Sequence, residues 1–204
     1  MRARSFEYLI SEATRVLAEL PEHVWDGESL PVPIESIAED HYGLLIREVG
    51  EIANELPEDA RHDIPDGKLS GALIPELAEI WVDATEASLR PSRRRYTIAH
   101  ELGHWELHRG PDQTLCREGA VDTVETVTNQ QGSSPQSWNE WKQPGAEPQV
   151  EWEANVFGGA LLLPPSLVRE VWDREQSVEA LAEAFDCSES AIDPRWLQHY
   201  AHGG

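Results

Sequence analysis

The chain has 204 residues and carries 38 acidic against 16 basic side chains, a formal net charge of −22 at pH 7. This charge repels phosphate backbones and anionic lipid, which argues against direct binding to nucleic acid or to a membrane. The two cysteines, Cys116 and Cys187, form no paired motif, which argues against a disulfide scaffold and a CxxC metal site. An amphipathic amino-terminal stretch in place of an apolar signal core predicts a cytoplasmic protein.

The amino-terminal part is predicted to contain one long and one short helix. Apolar residues recur at helical spacing from 6 to 20, Ser5 can cap this helix, and Pro21 ends it. A connector rich in proline follows at 21–33. A short helix is expected at 34–41, before a glycine that can take the left-handed conformation.

A small sheet is predicted next. Apolar runs at 44–49, 69–74 and 78–84 are typical of strands. The segment at 50–68 is acidic and contains prolines and an Asp-Gly pair, so it is predicted to be loop and turn.

Two longer helices are predicted in the second half of the chain, at 92–109 and at 149–163. A long loop at 111–150, rich in glutamine, glycine, serine and proline, separates them. Pro164-Pro165 ends the second of these helices. Shorter helices are expected in the tail, at 167–174, 178–185 and 191–200.

This order of elements is typical of an α+β protein. We expect a single domain over residues 1–204. Its parts are an amino-terminal helix and connector at 1–33, a core at 34–164 that includes the loop at 111–150, and a helical tail at 165–204.

The most specific motif is HExxH, which reads His100-Glu101-Leu102-Gly103-His104 and falls within a predicted helix. Histidines four residues apart lie on one helix face, about 6 Å apart along the axis, so both imidazoles can reach one ion. Neutral imidazoles suit Zn²⁺. Glu101 lies beside that ion and can take a proton from an attacking water. The motif therefore predicts one zinc ion, His100 and His104 as ligands, and Glu101 as the general base.

A catalytic zinc site needs a third protein ligand. His108 continues the four-residue series, but along a straight helix it would lie about 12 Å from His100, too far for Zn–N bonds of about 2 Å. We interpret His108 as a cation at the helix terminus or as part of a pocket wall. A lone cysteine such as Cys116 is more often buried or inert than a ligand.

The second long helix offers a better third ligand. Glu151 and Asn155 are four residues apart and share a face, so we predict that Glu151 binds the metal and that Asn155 orients one of the ligand histidines. Glu153 points away by about 200° and remains the alternative ligand. Small residues would let the two helices approach closely: Ala154, Gly158, Gly159 and Ala160.

Three consecutive arginines, Arg93 to Arg95, precede the motif. They are interpreted as partners of the surplus carboxylates of the fold. The alternative is that they bind an acidic segment of a substrate.

Two blocks of sequence resemble the ImmA/IrrE metallopeptidases, compact gluzincins of bacteria and their mobile elements. The first is RYTIAHELGH at 95–104, and the second is ExxANxF at 151–157 followed by LLLP at 161–164. The resemblance covers the chain from about 34 to 197. The chain departs from the family pattern in the forty-six residues between His104 and Glu151, in Gly158-Gly159 in place of alanines, and in Leu163 in place of methionine.

The resemblance implies a zincin-like, minimal gluzincin fold, in which a small sheet packs on the HExxH helix and on a second, glutamate-bearing helix. It implies the same ligands, His100, His104 and Glu151, with Glu101 as the general base. It further implies an intracellular zinc metalloendopeptidase that cleaves or inactivates a helix-turn-helix repressor, a separate protein encoded nearby. The alternatives are a zinc-containing antirepressor that sequesters its partner without proteolysis and, less favoured, an acidic DNA mimic without a metal.

A peptidase also needs contacts to its substrate. A second donor to the oxyanion is usual, and the candidates are Tyr96, His62, His199 and Tyr200. The edge of the strand around Trp81 is predicted to hold an extended substrate by strand addition.

Overall fold

The fold is given by a computed structural model, which describes residues 4–56, 69–108, 117–119 and 149–192. Most of the loop predicted at 111–150 therefore lies outside the described residues, as does most of the tail helix predicted at 191–200. Within the described ranges, no helix combines the length and the apolar character needed to cross a bilayer.

The structure is α+β, as predicted, and its elements are numbered here in chain order. The strands are β1 (Leu45–Val49), β2 (Leu69–Ile74), β3 (Glu79–Asp83) and β4 (Arg117–Gly119). The helices are α1 (Phe6–Glu19), α2 (Ile34–Ser36, continued by a π-helical turn at Ile37–His41), α3 (Ile52–Glu55), α4 (Ala84–Leu89), α5 (Pro91–His108), α6 (Gln149–Leu162), α7 (Pro165–Glu175) and α8 (Val178–Phe185). Short 3₁₀ turns lie at Pro75–Leu77 and Glu189–Ala191.

Most predicted elements lie within two residues of their expected bounds, and their end signals act as expected. The Ser5 side chain accepts a hydrogen bond from the Tyr8 amide and caps α1, and Gly43 has a φ of 69° where α2 ends. Three short elements within the described ranges were not predicted. α3 and β4 lie in segments predicted as loop. α4 begins where a strand was expected to end, because the Asp83 side chain accepts from the Glu86 amide and starts a helix.

The strands form one sheet in the order β1-β3-β2-β4. β1 and β3 are parallel, β2 is antiparallel to β3, and β4 is antiparallel to β2. β3 therefore lies inside the sheet, between β1 and β2. The prediction that the β3 edge binds an extended substrate is wrong, because both edges of that strand already pair with neighbours.

The two faces of the sheet pack against different groups. Ile80 and Val82 of β3 lie in the main core together with Ile98 and Leu102 of α5. Trp81 points to the opposite face, as alternation along a strand requires. There it contacts a second, smaller core of Ile52, Leu56, Leu69, Ala72 and Ile74. The main-core face of the sheet is therefore the one that faces α5.

Candidate metal centre

The centre lies between α5 and α6, which pack closely because two glycines face the opposite backbone. A Cβ on Gly103 would lie 2.8 Å from the Cα and carbonyl oxygen of Ala154, and a Cβ on Gly158 would lie 2.7 Å from the carbonyl oxygen of Ala99. Contacts this short do not occur in real packing, so only glycine fits at either position. The prediction that small residues let these helices approach is confirmed. The approach brings the first turns of α6 against the HExxH motif.

Three side chains meet in this contact: His100 and His104 from α5, and Glu151 from α6. Nε2 of His100 lies 3.0 Å from Nε2 of His104. The Glu151 carboxylate lies 3.4 Å from Nε2 of His100 and 3.5 Å from Nε2 of His104. Each residue thus offers one atom to a common point, and both histidines are fully buried.

These distances fit a metal ion. Tetrahedral zinc, with bonds of about 2.0–2.1 Å, holds neighbouring ligand atoms about 3.3 Å apart. Two imidazoles and one carboxylate are also the ligand set of many catalytic zinc sites, which keep a fourth position open for water or substrate. The Glu151 side chain is 17% exposed and those of the two histidines are 0% exposed, so the carboxylate is the most exposed of the three groups.

Asn155 and Tyr96 hold the first histidine in place. Nδ1 of His100 lies 2.7 Å from Oδ1 of Asn155, and the Tyr96 hydroxyl donates to the same oxygen at 2.7 Å. Because an amide oxygen is an acceptor, His100 carries its proton on Nδ1 and turns the lone pair of Nε2 toward Glu151 and His104. Asn155 therefore lies where it can orient a ligand, and Tyr96 orients Asn155.

The charges in the centre favour cation binding. Burial lowers the pKa of His104 to about 4, although the nearby Glu151 carboxylate opposes this shift. Burial alone would raise the pKa of Glu151, but its hydrogen bonds with His100 and His104 outweigh burial and lower the pKa to about 2. At pH 7, His104 is therefore neutral and Glu151 is ionised, which are the forms that bind a metal.

Glu101 is fully buried on α5 and lies against β2. A Cβ on Gly71 would lie 3.3 Å from Oε1 of Glu101 and 2.3 Å from Cγ2 of Thr97. The bare backbone at Gly71 thus leaves room for α5 and for the Glu101 carboxylate. No motif in the sequence marks Gly71, although a glycine inside a strand is a known sign of close approach by another group.

Glu153, the alternative third ligand, faces away from the two ligand histidines. It is 2% exposed and forms an ion pair with Arg4. His108 lies on the same side, with Nε2 3.6 Å from the Glu153 carboxylate. Burial lowers the pKa of His108, which disfavours the first of its two predicted roles, a cation at the helix terminus. The second role, part of a pocket wall, stays a prediction.

The predicted substrate contacts are not brought together. The Trp81 indole lies on the far face of the sheet, where its N–H donates to Glu79 and the Arg47 guanidinium lies 5.8 Å from its ring centre. The Tyr96 hydroxyl donates to Asn155, which bonds to His100, and its role as an oxyanion donor stays a prediction. The other residues considered at the site lie outside the described residues: His62, Cys116, His199 and Tyr200.

The three arginines at the start of α5 pair with carboxylates of the fold, as the first interpretation predicts. Arg93 pairs with Glu86, and Arg94 pairs with Glu35 and Glu48. Arg95 is buried and donates to the carbonyl oxygen of Val32. It also forms ion pairs with Glu35 at 3.7 Å and with Asp186 at 3.5 Å.

With an α+β fold and two histidines and a glutamate around one point, the chain has the features of a metal-dependent hydrolase of the HExxH class. Residues 80–133 match the model of a peptidase family, Peptidase_M78, described as the IrrE N-terminal-like domain. The match includes all of α5 and ends before α6. It supports the resemblance to the ImmA/IrrE family that the motifs indicate. No curated protein matches the chain.

Proposed function

We propose that this protein is a zinc-dependent metalloendopeptidase. The observation that carries the proposal is the convergence of His100, His104 and Glu151, whose facing atoms lie 3.0–3.5 Å apart. The buried Glu101 follows His100 on the same helix. The family match supports a peptidase, and the donor set supports zinc as the metal.

Different residues of the chain would carry out different steps of peptide hydrolysis. Bound zinc would polarise the scissile carbonyl and make water a better nucleophile at neutral pH. His100, His104 and Glu151 would hold that ion, and Asn155 and Tyr96 would keep His100 in the required tautomer. Glu101 would remove a proton from the attacking water and pass it to the leaving amine.

We further propose a cytoplasmic protein substrate, a helix-turn-helix repressor encoded nearby. The support for this substrate is the resemblance to the ImmA/IrrE metallopeptidases. We also propose that residues 1–204 form one metallopeptidase domain. In support, α1 packs on α6 and Arg4, just before α1, bonds directly to Glu153 of α6.

The test is cleavage of the purified repressor encoded next to the gene by the full chain loaded with zinc, with products identified by mass spectrometry. E101Q should bind as much zinc as the wild type and cleave about 10²- to 10⁴-fold more slowly, because it lacks the proton acceptor. E106Q is the matched control, since Glu106 lies on the same helix and pairs with Arg15 at the surface. It should cleave at the wild-type rate.

Two results would contradict the proposal. One is cleavage by E101Q at the rate of E106Q. The other is repressor inactivation in cells by E101Q with the repressor left intact, which would instead establish the alternative of an antirepressor that acts by sequestration.

A further inference from the structure

The amino-terminal segment reaches the side of α6 that faces away from the metal centre. The Arg4 guanidinium forms an ion pair with Glu153 and donates to the carbonyl oxygen of Leu107 at 2.8 Å. The Arg4 backbone amide donates to the other carboxylate oxygen of Glu153 at 3.1 Å. One residue thus joins the last turn of α5 to the first turns of α6.

The contacts of Arg4 hold the first turns of α6, which the glycine contacts do not reach. Gly103 and Gly158 bring the backbones together at Ala154 and beyond, whereas Glu151 precedes these contacts. The first turns of α6 are tied to their surroundings through Glu153, which also accepts from Gln149 at 2.9 Å. Since Glu151 and Glu153 are two residues apart on one rigid helix, a rotation that moves one carboxylate moves the other.

We propose that Arg4 is a positioning residue for the metal centre: by holding Glu153 against Leu107, it sets the rotation of α6 at which Glu151 faces His100 and His104. The inference rests on the proposed function, in which Glu151 is a metal ligand. Arg4 does not touch the metal, and its effect passes through Glu153.

The charge of Arg4 and its positioning role would affect metal binding in opposite directions. Arg4 is a cation near a cation site, so its removal would strengthen metal binding by simple Coulomb repulsion. Loss of positioning weakens metal binding instead, because Glu151 then meets the ion in many orientations or not at all. The direction of the change in affinity therefore separates the two effects.

Arg15 provides a matched control. It also joins the amino-terminal segment to α5, through an ion pair with Glu106 at 2.8 Å, but it has no contact with α6 among its ion pairs, which are with Glu12, Glu19 and Glu106. A general loosening of α1 would appear in R15Q as well as in R4Q.

The experiment is a competition titration with Zn²⁺ and a chromophoric chelator on the full chain, together with the visible spectrum of the Co²⁺-loaded protein. R4Q should weaken Zn²⁺ affinity about 10-fold or more and change the Co²⁺ spectrum, as loss of outer-shell partners does. R15Q should stay within about two-fold of the wild type, as exposed pairs contribute little. R4K keeps the charge but lacks the two guanidinium nitrogens that donate separately to Glu153 and to Leu107. It should fall between the wild type and R4Q.

The outcomes distinguish this inference from the proposed function. Tight Zn²⁺ binding by the wild type with equal or tighter binding by R4Q would overturn the positioning role alone. An equal loss in R15Q and R4Q would also overturn it, because the effect would then be general loosening. Failure of the wild type to bind Zn²⁺ would overturn the proposed function and the inference with it. If R4Q does not fold, R4K decides, and binding by R4K at the wild-type level with an unchanged Co²⁺ spectrum would overturn the inference.

Discussion

The first turns of α5 carry three arginines, and its middle turns carry His100, Glu101 and His104. Arg93 and Arg94 are partly exposed and pair with carboxylates from α2, β1 and α4. The two histidines and the glutamate are each 0% exposed, and the helix faces glycine on two sides there, at Gly71 of β2 and Gly158 of α6.

This difference in burial and packing indicates that the middle turns of α5, and not its first turns, form the functional site. Partly exposed ion pairs contribute little to stability and need no special backbone. Burying three polar side chains opposes folding unless their partners are arranged around them. Here the surroundings of these side chains include Gly71 and Gly158. Each of these glycines weakens the strand or helix to which it belongs. An arrangement that opposes stability at several points is typical of a functional site.

The largest effect on stability and zinc affinity is expected from adding a side chain between α5 and α6. A Cβ in G158A would lie 2.7 Å from the Ala99 carbonyl oxygen and 2.9 Å from the His100 amide nitrogen. Because both are backbone atoms, α6 must move away. We expect a loss of about 2 kcal/mol in the free energy of unfolding and a fall of more than about 10-fold in zinc affinity.

Denaturant unfolding and zinc titration measure these two losses. Helix propensity alone predicts that G158A gains about 1 kcal/mol, so a more stable variant would contradict the packing account. G50A is the control, because nothing lies within 4 Å of a Cβ at that position.

A smaller effect is expected for G71A, which should disturb Glu101 and so lower the rate of cleavage. The new Cβ would lie 2.3 Å from Cγ2 of Thr97 and 3.3 Å from Oε1 of Glu101, so Glu101 is displaced more than the ligands are. Peptide cleavage should fall about 10-fold or more, while zinc affinity changes less. T97S removes the methyl group in conflict, so G71A/T97S should recover part of the activity. Activity in the double variant no better than in G71A would argue against this contact as the cause.

Y96F tests the hydrogen bond from Tyr96 to Asn155, the residue that orients the metal ligand His100. It removes the hydroxyl that donates to Asn155 at 2.7 Å and leaves the Asn155–His100 bond in place. Zinc affinity should fall by up to about 10-fold. Y8F, at an exposed tyrosine, should leave it unchanged. If Tyr96 is instead an oxyanion donor, the rate of cleavage will fall in Y96F with no change in zinc affinity.

The smallest effect is expected at the arginine end of α5. R94Q breaks the ion pairs with Glu35 and Glu48. It should lower the free energy of unfolding by less than about 1 kcal/mol, and by less still at high salt. Cleavage and zinc affinity should not change. A marked rise in KM in R94Q would show that this half of the helix binds substrate, which was the second interpretation of the arginines.

The parts of the site that depend on local spacing could be predicted from the sequence. His100 and His104 share a helix face wherever that helix lies, and Glu151 and Asn155 share a face of α6 in the same way. The helices follow from apolar periodicity and from end signals such as Ser5.

The parts that depend on distant contacts could not be predicted. The pairing of Arg4 with Glu153 joins residues 149 positions apart, and no local pattern in the sequence shows it. The side of the sheet on which Trp81 lies, and the interior place of its strand, depend on the order β1-β3-β2-β4. That order follows from packing across the whole sheet.

The central claim is that two histidines of α5 and one glutamate of α6 bind a single metal ion. The direct measurement is zinc content per chain after removal of metal with a chelator, reloading and desalting, in the wild type and in E151Q. We predict about one zinc per wild-type chain and an affinity at least about 10-fold weaker in E151Q, which replaces a charged ligand by a neutral one. Equal zinc content and equal affinity in the two proteins would contradict the claim.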